Sequence, residues 1–167
     1  MKRKIGIGIC LVCVLLTVAF IFYNSAQPVP ESQKASASVA ETIVSVAPNG
    51  GAFFGSWTSF VNYIRKAAHA VEFFVLGTEL SLLFFAVLQK RSVQAVWNVL
   101  TLALLTAVTD ESIQILSGRG PRVQDVLLDF AGSMTAVLLV LLVCCIVCFF
   151  QKNACIRKRG NTDGNSD

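Results

Sequence analysis

The chain reads as an all-α, polytopic integral membrane protein, with four transmembrane helices in a small bundle and both termini on the cytoplasmic side (N-in/C-in). Three observations predict this. Of 167 residues, 54% are hydrophobic and only 14% charged, with mean hydropathy +0.66; ordinary soluble domains are about 25% charged. Four runs reach the roughly 20 apolar residues that a membrane-crossing helix needs: Ile5–Tyr23, Ala67–Leu88, Val93–Leu116 and Val123–Phe150. Lys and Arg favour the cytoplasmic side, and they divide nine to five in favour of the stated orientation.

The first run follows Lys2, Arg3 and Lys4, as a signal peptide would. Its apolar stretch exceeds the usual 7–15 residues or so, and Asn24-Ser25-Ala26 is a poor small-x-small cleavage site, so an uncleaved anchor is expected. Residues 1–23 thus form a cytoplasmic tip and first span, and residues 24–63 an extracytoplasmic loop. That loop opens Gln27-Pro28-Val29-Pro30 and runs through a Ser/Ala-rich stretch that cannot bury a core, with a short helix weakly signalled at Ala40–Val46. Phe53, Phe54, Trp57, Phe60 and Tyr63 suit a membrane interface on the approach to span two. Residues 64–150 make a three-helix domain with tight turns at Gln89–Ser92 and Ser117–Pro121. Residues 151–167 form a basic cytoplasmic tail whose polar end, Gly160–Asp167, is expected to be disordered.

Net charge is +4, but there is no soluble basic face to bind a polyanion, so nucleic acid is excluded and membrane lipid is the expected partner. The six cysteines lie in or just beyond the first and last spans. Cys10-x-x-Cys13 and Cys145-x-x-Cys148 read as small apolar filler, since no histidine or other polar ligand lies near.

Ten ionisable residues sit at the ends of the hydrophobic runs. Ionisable groups at membrane depth cost roughly 2.5–3.5 kcal/mol each on insertion scales, so they are retained when paired or used. On span two, Arg65, His69 and Glu72 share one helix face, with Lys66 beside them. Span three carries Asp110 and Gln114 one turn apart, with Glu111 about 100° round the helix. Span four carries Arg122, Asp125 and Asp129 on one face, and Gly132 continues that face where a close helix approach needs no side chain. Alternating spans bring all three stripes, and Arg119 in the connecting turn, to one level. The expected pocket is His69, Glu72, Asp110, Glu111, Gln114, Arg119, Asp125 and Asp129, with Arg65, Lys66 and Arg122 on its rim. Glu79 lies deeper on span two and has no assigned role.

Two blocks carry a resemblance. Arg65-Lys66-Ala67-Ala68-His69-Ala70-Val71-Glu72-Phe73, running to Leu76-Gly77, resembles the first signature of the VanZ-like membrane protein family. Asp110-Glu111-Ser112-Ile113-Gln114, Gly118-Arg119, and Asp125-Val126 through Gly132 resemble its second. Ser25-Ala26-Gln27 is similar to a short Ser-x-Gln element after that family's first span. Phe73 stands where Tyr is common, which removes a hydroxyl donor, and Asp129 where Asn often appears. The resemblance implies a bacterial membrane protein and a link with low-level resistance to the glycopeptide teicoplanin. It carries no catalytic assignments.

The site supports three readings. Four cations against five carboxylates, with His69 as the swing member, is the balance of an ion-pair network joining helix ends. The same groups at headgroup level suit an anionic lipid or lipid-linked cell-wall precursor, with Arg119 gripping phosphate. His69 with Glu72 or Asp125 would serve an enzyme as a proton-transfer pair. A divalent cation on His69, Glu72 and a facing Asp is chemically open, but the spacing shows no zincin-type motif, so no metal or other cofactor is expected.

Overall fold

A computed structural model describes residues 2–47, 51–88, 93–118 and 122–163, with the side chains of 2, 52 and 154–163 excepted. Five α-helices account for almost all of it: α1 (Lys2–Ala26), α2 (Val29–Val46), α3 (Trp57–Leu88), α4 (Val93–Leu116) and α5 (Val123–Asp163), with a 3₁₀ turn at Ala52–Phe54. Four of them are long and apolar enough to cross a membrane, over Arg3–Ala26, Trp57–Leu88, Val93–Leu116 and Val123–Asn153. At about 1.5 Å per residue, even a 24-residue helix exceeds the ~30 Å hydrocarbon thickness.

α3 starts ten residues before the expected Ala67, because Ser56 caps it. The Ser59 backbone N–H donates to Ser56 Oγ at 3.2 Å, satisfying an otherwise orphaned donor of the first turn. The preceding Gly55 holds φ at +70°, a conformation that glycine adopts without strain.

The segment read as a coreless loop instead contains the 18-residue helix α2. Pro30 sits in its first turn, where a missing N–H costs nothing. Alanine and glutamate supply helix propensity. Ala37, Ala40 and Val44 form a stripe that packs on Phe54, Phe60, Val61 and Ile64, leaving Ala40 fully buried. Phe60 is therefore a core residue beneath α2, not an interfacial aromatic. A thin face of small residues suffices here because α3 supplies the bulk.

α5 also runs further than expected, its backbone helical to Asp163. No proline interrupts Gln151–Arg159, and the first glycine is Gly160, so the apolar helix propagates into the basic segment; 164–167 lie outside the described residues. The cysteine expectation changes as well, since Cys13, Cys145 and Cys148 face outward instead of filling the interior.

Two features bring the long helices together. On α4 the buried residues Ala95, Val99, Ala103 and Ala107 recur every fourth position, a stripe of small side chains that admits close packing. Where α3 crosses α5, a Cβ on Gly132 would stand 2.5 Å from the Ala70 carbonyl oxygen, and one on Gly77 would stand 2.7 Å from that of Ser133. Glycine at both points is what lets the backbones meet, and Ser133 Oγ donates to the Phe73 carbonyl across the crossing at 2.9 Å. Phe73, Leu76, Val99 and Ile21 fill the remaining interior.

Candidate functional site

The stripe of α4 that buries small apolar residues continues, without changing face, into Asp110, Glu111 and Gln114. Helical periodicity thus carries the polar groups into the bundle instead of outward. Asp110 is fully buried; its Oδ1 accepts a short hydrogen bond from Ser25 Oγ at 2.5 Å, and its Oδ2 accepts one from Gln114 Nε2 at 2.8 Å. From α3, His69 Nδ1 lies 3.8 Å from Asp110 Oδ2 and 3.7 Å from Glu72 Oε2. Glu72 Oε1 accepts from Asn24 Nδ2 at 2.8 Å, while its Oε2 is buried without a hydrogen-bond partner. From α5, Asp129 is 3% exposed, and its Oδ1 likewise has no partner. His69, Asp110 and Asp129 converge until one potential ligand atom from each lies within 4.8 Å of the others. Glu79, about two turns further along α3, also has a buried Oε2 without a partner.

The remaining expected residues divide. Lys66 Nζ pairs with Asp125 Oδ1 at 2.7 Å, so this rim cation is engaged by a carboxylate. Glu111 Oε1 accepts the Arg122 backbone N–H at 2.6 Å, placing a negative charge at the N-terminus of α5, where the helix dipole favours it. It lines none of the three spaces described below. Arg122 presents an exposed side chain at that end. Arg119 and the rest of the 119–121 turn lie outside the described residues.

Two residues absent from the expected pocket belong to the cluster. Asn24 and Ser25, at the C-terminal end of α1, donate to Glu72 and Asp110. Ser117 fastens the same turn by donating to the Ser25 carbonyl at 3.2 Å. The signal was present in Ser25-Ala26-Gln27, which the sequence reading assigned to the loop.

Three of the spaces beside the cluster have volumes of a few hundred Å³. One of about 360 Å³ lies among α1, α2 and α3 and is lined by Asn24, Gln27, Glu31, Arg65, His69 and Glu72. Another of about 290 Å³ is bounded by Gln33, Asn62, Arg65, Gln114, Arg122 and Asp125. An apolar groove of about 510 Å³ runs between α1 and α3 along Leu16, Phe20, Val71 and Val75, and shares Glu72 as a lining residue with the first space. Arg65 borders both of the first two spaces, the first also lined by the apolar Val39, Ile64 and Ala68, and among the described residues no carboxylate lies within 4.0 Å of its guanidinium.

Four apolar helices enclosing a buried carboxylate–histidine cluster at one end define a small polytopic membrane protein with an internal polar site. The chain belongs to the VanZ/LLP1 family, whose model matches residues 10–150. That span takes in every residue of the cluster, including Asn24 and Ser25. No curated protein and no solved structure gives a significant match to the chain.

Proposed function

We propose that the protein recognises a membrane amphiphile with an anionic headgroup, either an anionic lipid or a lipid-linked cell-wall precursor. It would do so at the outer face of the bacterial cytoplasmic membrane, with both termini in the cytoplasm. The observation that carries this reading is Arg65, a guanidinium without a carboxylate partner among the described residues, bordering a mainly polar space and a second space of mixed lining. A fork of N–H donors not already held by a carboxylate is suited to phosphate. The space of mixed lining shares Glu72 with an apolar groove, and the acyl or prenyl chain of a headgroup held beside Arg65 is proposed to lie in that groove, between α1 and α3. Arg119, which lies outside the described residues, is the second proposed anion contact, and binding of a cell-wall precursor is how teicoplanin susceptibility would come to depend on this chain.

Native mass spectrometry of gently purified protein tests the reading. Wild type is expected to retain an anionic lipid or precursor, and Arg65→Ala and Arg119→Ala to lose it while accumulating normally. A wild-type protein that carries no such species under lipid-retaining conditions removes the proposal.

One observation favours a structural share for the same residues. Asp110 is fully buried and bonded to both Ser25 and Gln114, so it holds α1 to α4 whatever the adjoining spaces contain. Loss of membrane accumulation in Asp110→Ala, with Arg65→Ala unaffected, separates that role from recognition.

A further inference from the structure

We propose that His69, Asp110 and Asp129, with Glu72 as a fourth ligand, bind one divalent transition-metal cation of the Mn²⁺ or Zn²⁺ class. The site was invisible to motif spacing because its ligands come from three different helices.

Convergence is the first support. One potential ligand atom each from His69, Asp110 and Asp129 lies within 4.8 Å of the others, and Glu72 Oε2 is 3.7 Å from His69 Nδ1. Tetrahedral ligands at about 2.1 Å from an ion stand roughly 3.4 Å apart, so side-chain adjustments of about 1 Å close the shell. The second support is independent of the first: Asp129 is 3% exposed, yet its Oδ1 is buried with no hydrogen-bond partner, and so is Glu72 Oε2. A buried carboxylate oxygen left unbonded is costly, and coordination to a metal is one of the few ways to satisfy it.

Charge gives the third support. Glu72, Asp110 and Asp129 place three carboxylates around one imidazole, and among the described residues no Lys or Arg comes within 4.0 Å of any of them. Lys66, three residues before His69 on α3, is held by Asp125. Three carboxyl groups crowded at membrane depth must share protons or a cation, and a dication would let all three act as ligands. An imidazole among carboxylates selects Mn²⁺ or Zn²⁺ over Mg²⁺ and Ca²⁺, which prefer all-oxygen shells. The hydrogen bonds from Asn24 to Glu72, and from Ser25 and Gln114 to Asp110, occupy outer positions that orient metal-bound carboxylates.

The inference does not depend on the amphiphile reading, because lipid-free protein tests it alone. Full-length protein in nonionic detergent is stripped with chelator, dialysed against MnCl₂ or ZnCl₂, and analysed by inductively coupled plasma mass spectrometry. Wild type is expected to hold about one ion per chain. Asp129→Asn and His69→Gln are each expected to weaken retention at least roughly tenfold, with helical circular dichroism unchanged. Glu41→Gln, an exposed carboxylate on α2, should bind as wild type does. Should Asp129→Asn not fold, the wild-type stoichiometry and His69→Gln decide the matter. Wild type retaining neither ion overturns the proposal, as does retention undiminished by His69→Gln. Preference for Mg²⁺ or Ca²⁺ over both overturns the assignment of an imidazole-ligated site.

Discussion

The two ends of the helical bundle are built on different principles. At one end α1, α3, α4 and α5 are joined by hydrogen bonds among Asn24, Ser25, Glu72, Asp110 and Gln114, by the Lys66–Asp125 ion pair, and by the approach of His69 to Glu72 and Asp110. At the other, α1 meets α3 through an exposed Arg3, which donates to the Ala86 and Val87 carbonyls at 2.9 and 3.2 Å. Gly6 and Gly8 nearby have open space where a Cβ would go. The polar end depends on shape and on pairing at once, whereas at the other end α1 leaves room for a side chain at Gly6 and Gly8. Side-chain pairing and candidate chemistry are therefore concentrated in the same half of the molecule.

Substitutions can break that contrast, and their expected effects descend in a definite order. Gly132→Val drives a branched side chain into the Ala70 carbonyl and should cost more than about 3 kcal/mol, the upper range for overpacking; thermal unfolding in detergent would show it as a large fall in Tm. Ser25→Ala deprives buried Asp110 of a donor and should cost about 2 kcal/mol in the same assay. Glu111→Ala removes the acceptor at the α5 N-terminus and should cost about 1 kcal/mol, as lost caps do. Arg3→Ala at the opposite end should cost less than about 0.5 kcal/mol, since the bonds are exposed. Gly8→Ala should raise stability by up to about 1 kcal/mol through helix propensity alone. If Gly8→Ala proves as damaging as Gly132→Val, the contrast between the ends is wrong.

Sequence reasoning reached the half of the site that follows from helical period and alternating spans. The stripes of His69 and Glu72, of Asp110 and Gln114, and of Asp129 with Gly132 all meet where that arithmetic put them. It did not reach what depends on which helices are neighbours. Lys66 could be counted as a cation, but its engagement by Asp125 from another helix is a tertiary fact. Glu111 carries the same charge as Asp110 and differs by only 100° of helix, yet it serves an adjoining helix terminus. α2 was hidden for another reason: its Ser/Ala-rich composition is shared by disordered linkers, and only the bulk of Phe60 and Val61 gives its small face something to cover. Asn24 and Ser25 were overlooked because a first apolar run is read as an anchor and its last turn as a boundary.

That last turn has a practical implication. An anchor normally contributes only greasiness and length, and any comparable stretch can replace it. Here the terminal turn of α1 presents an amide and a hydroxyl to two carboxylates and is fastened through its own carbonyl by Ser117. A chimera with a generic leader helix would still insert, but the compartment would be left without one of its walls.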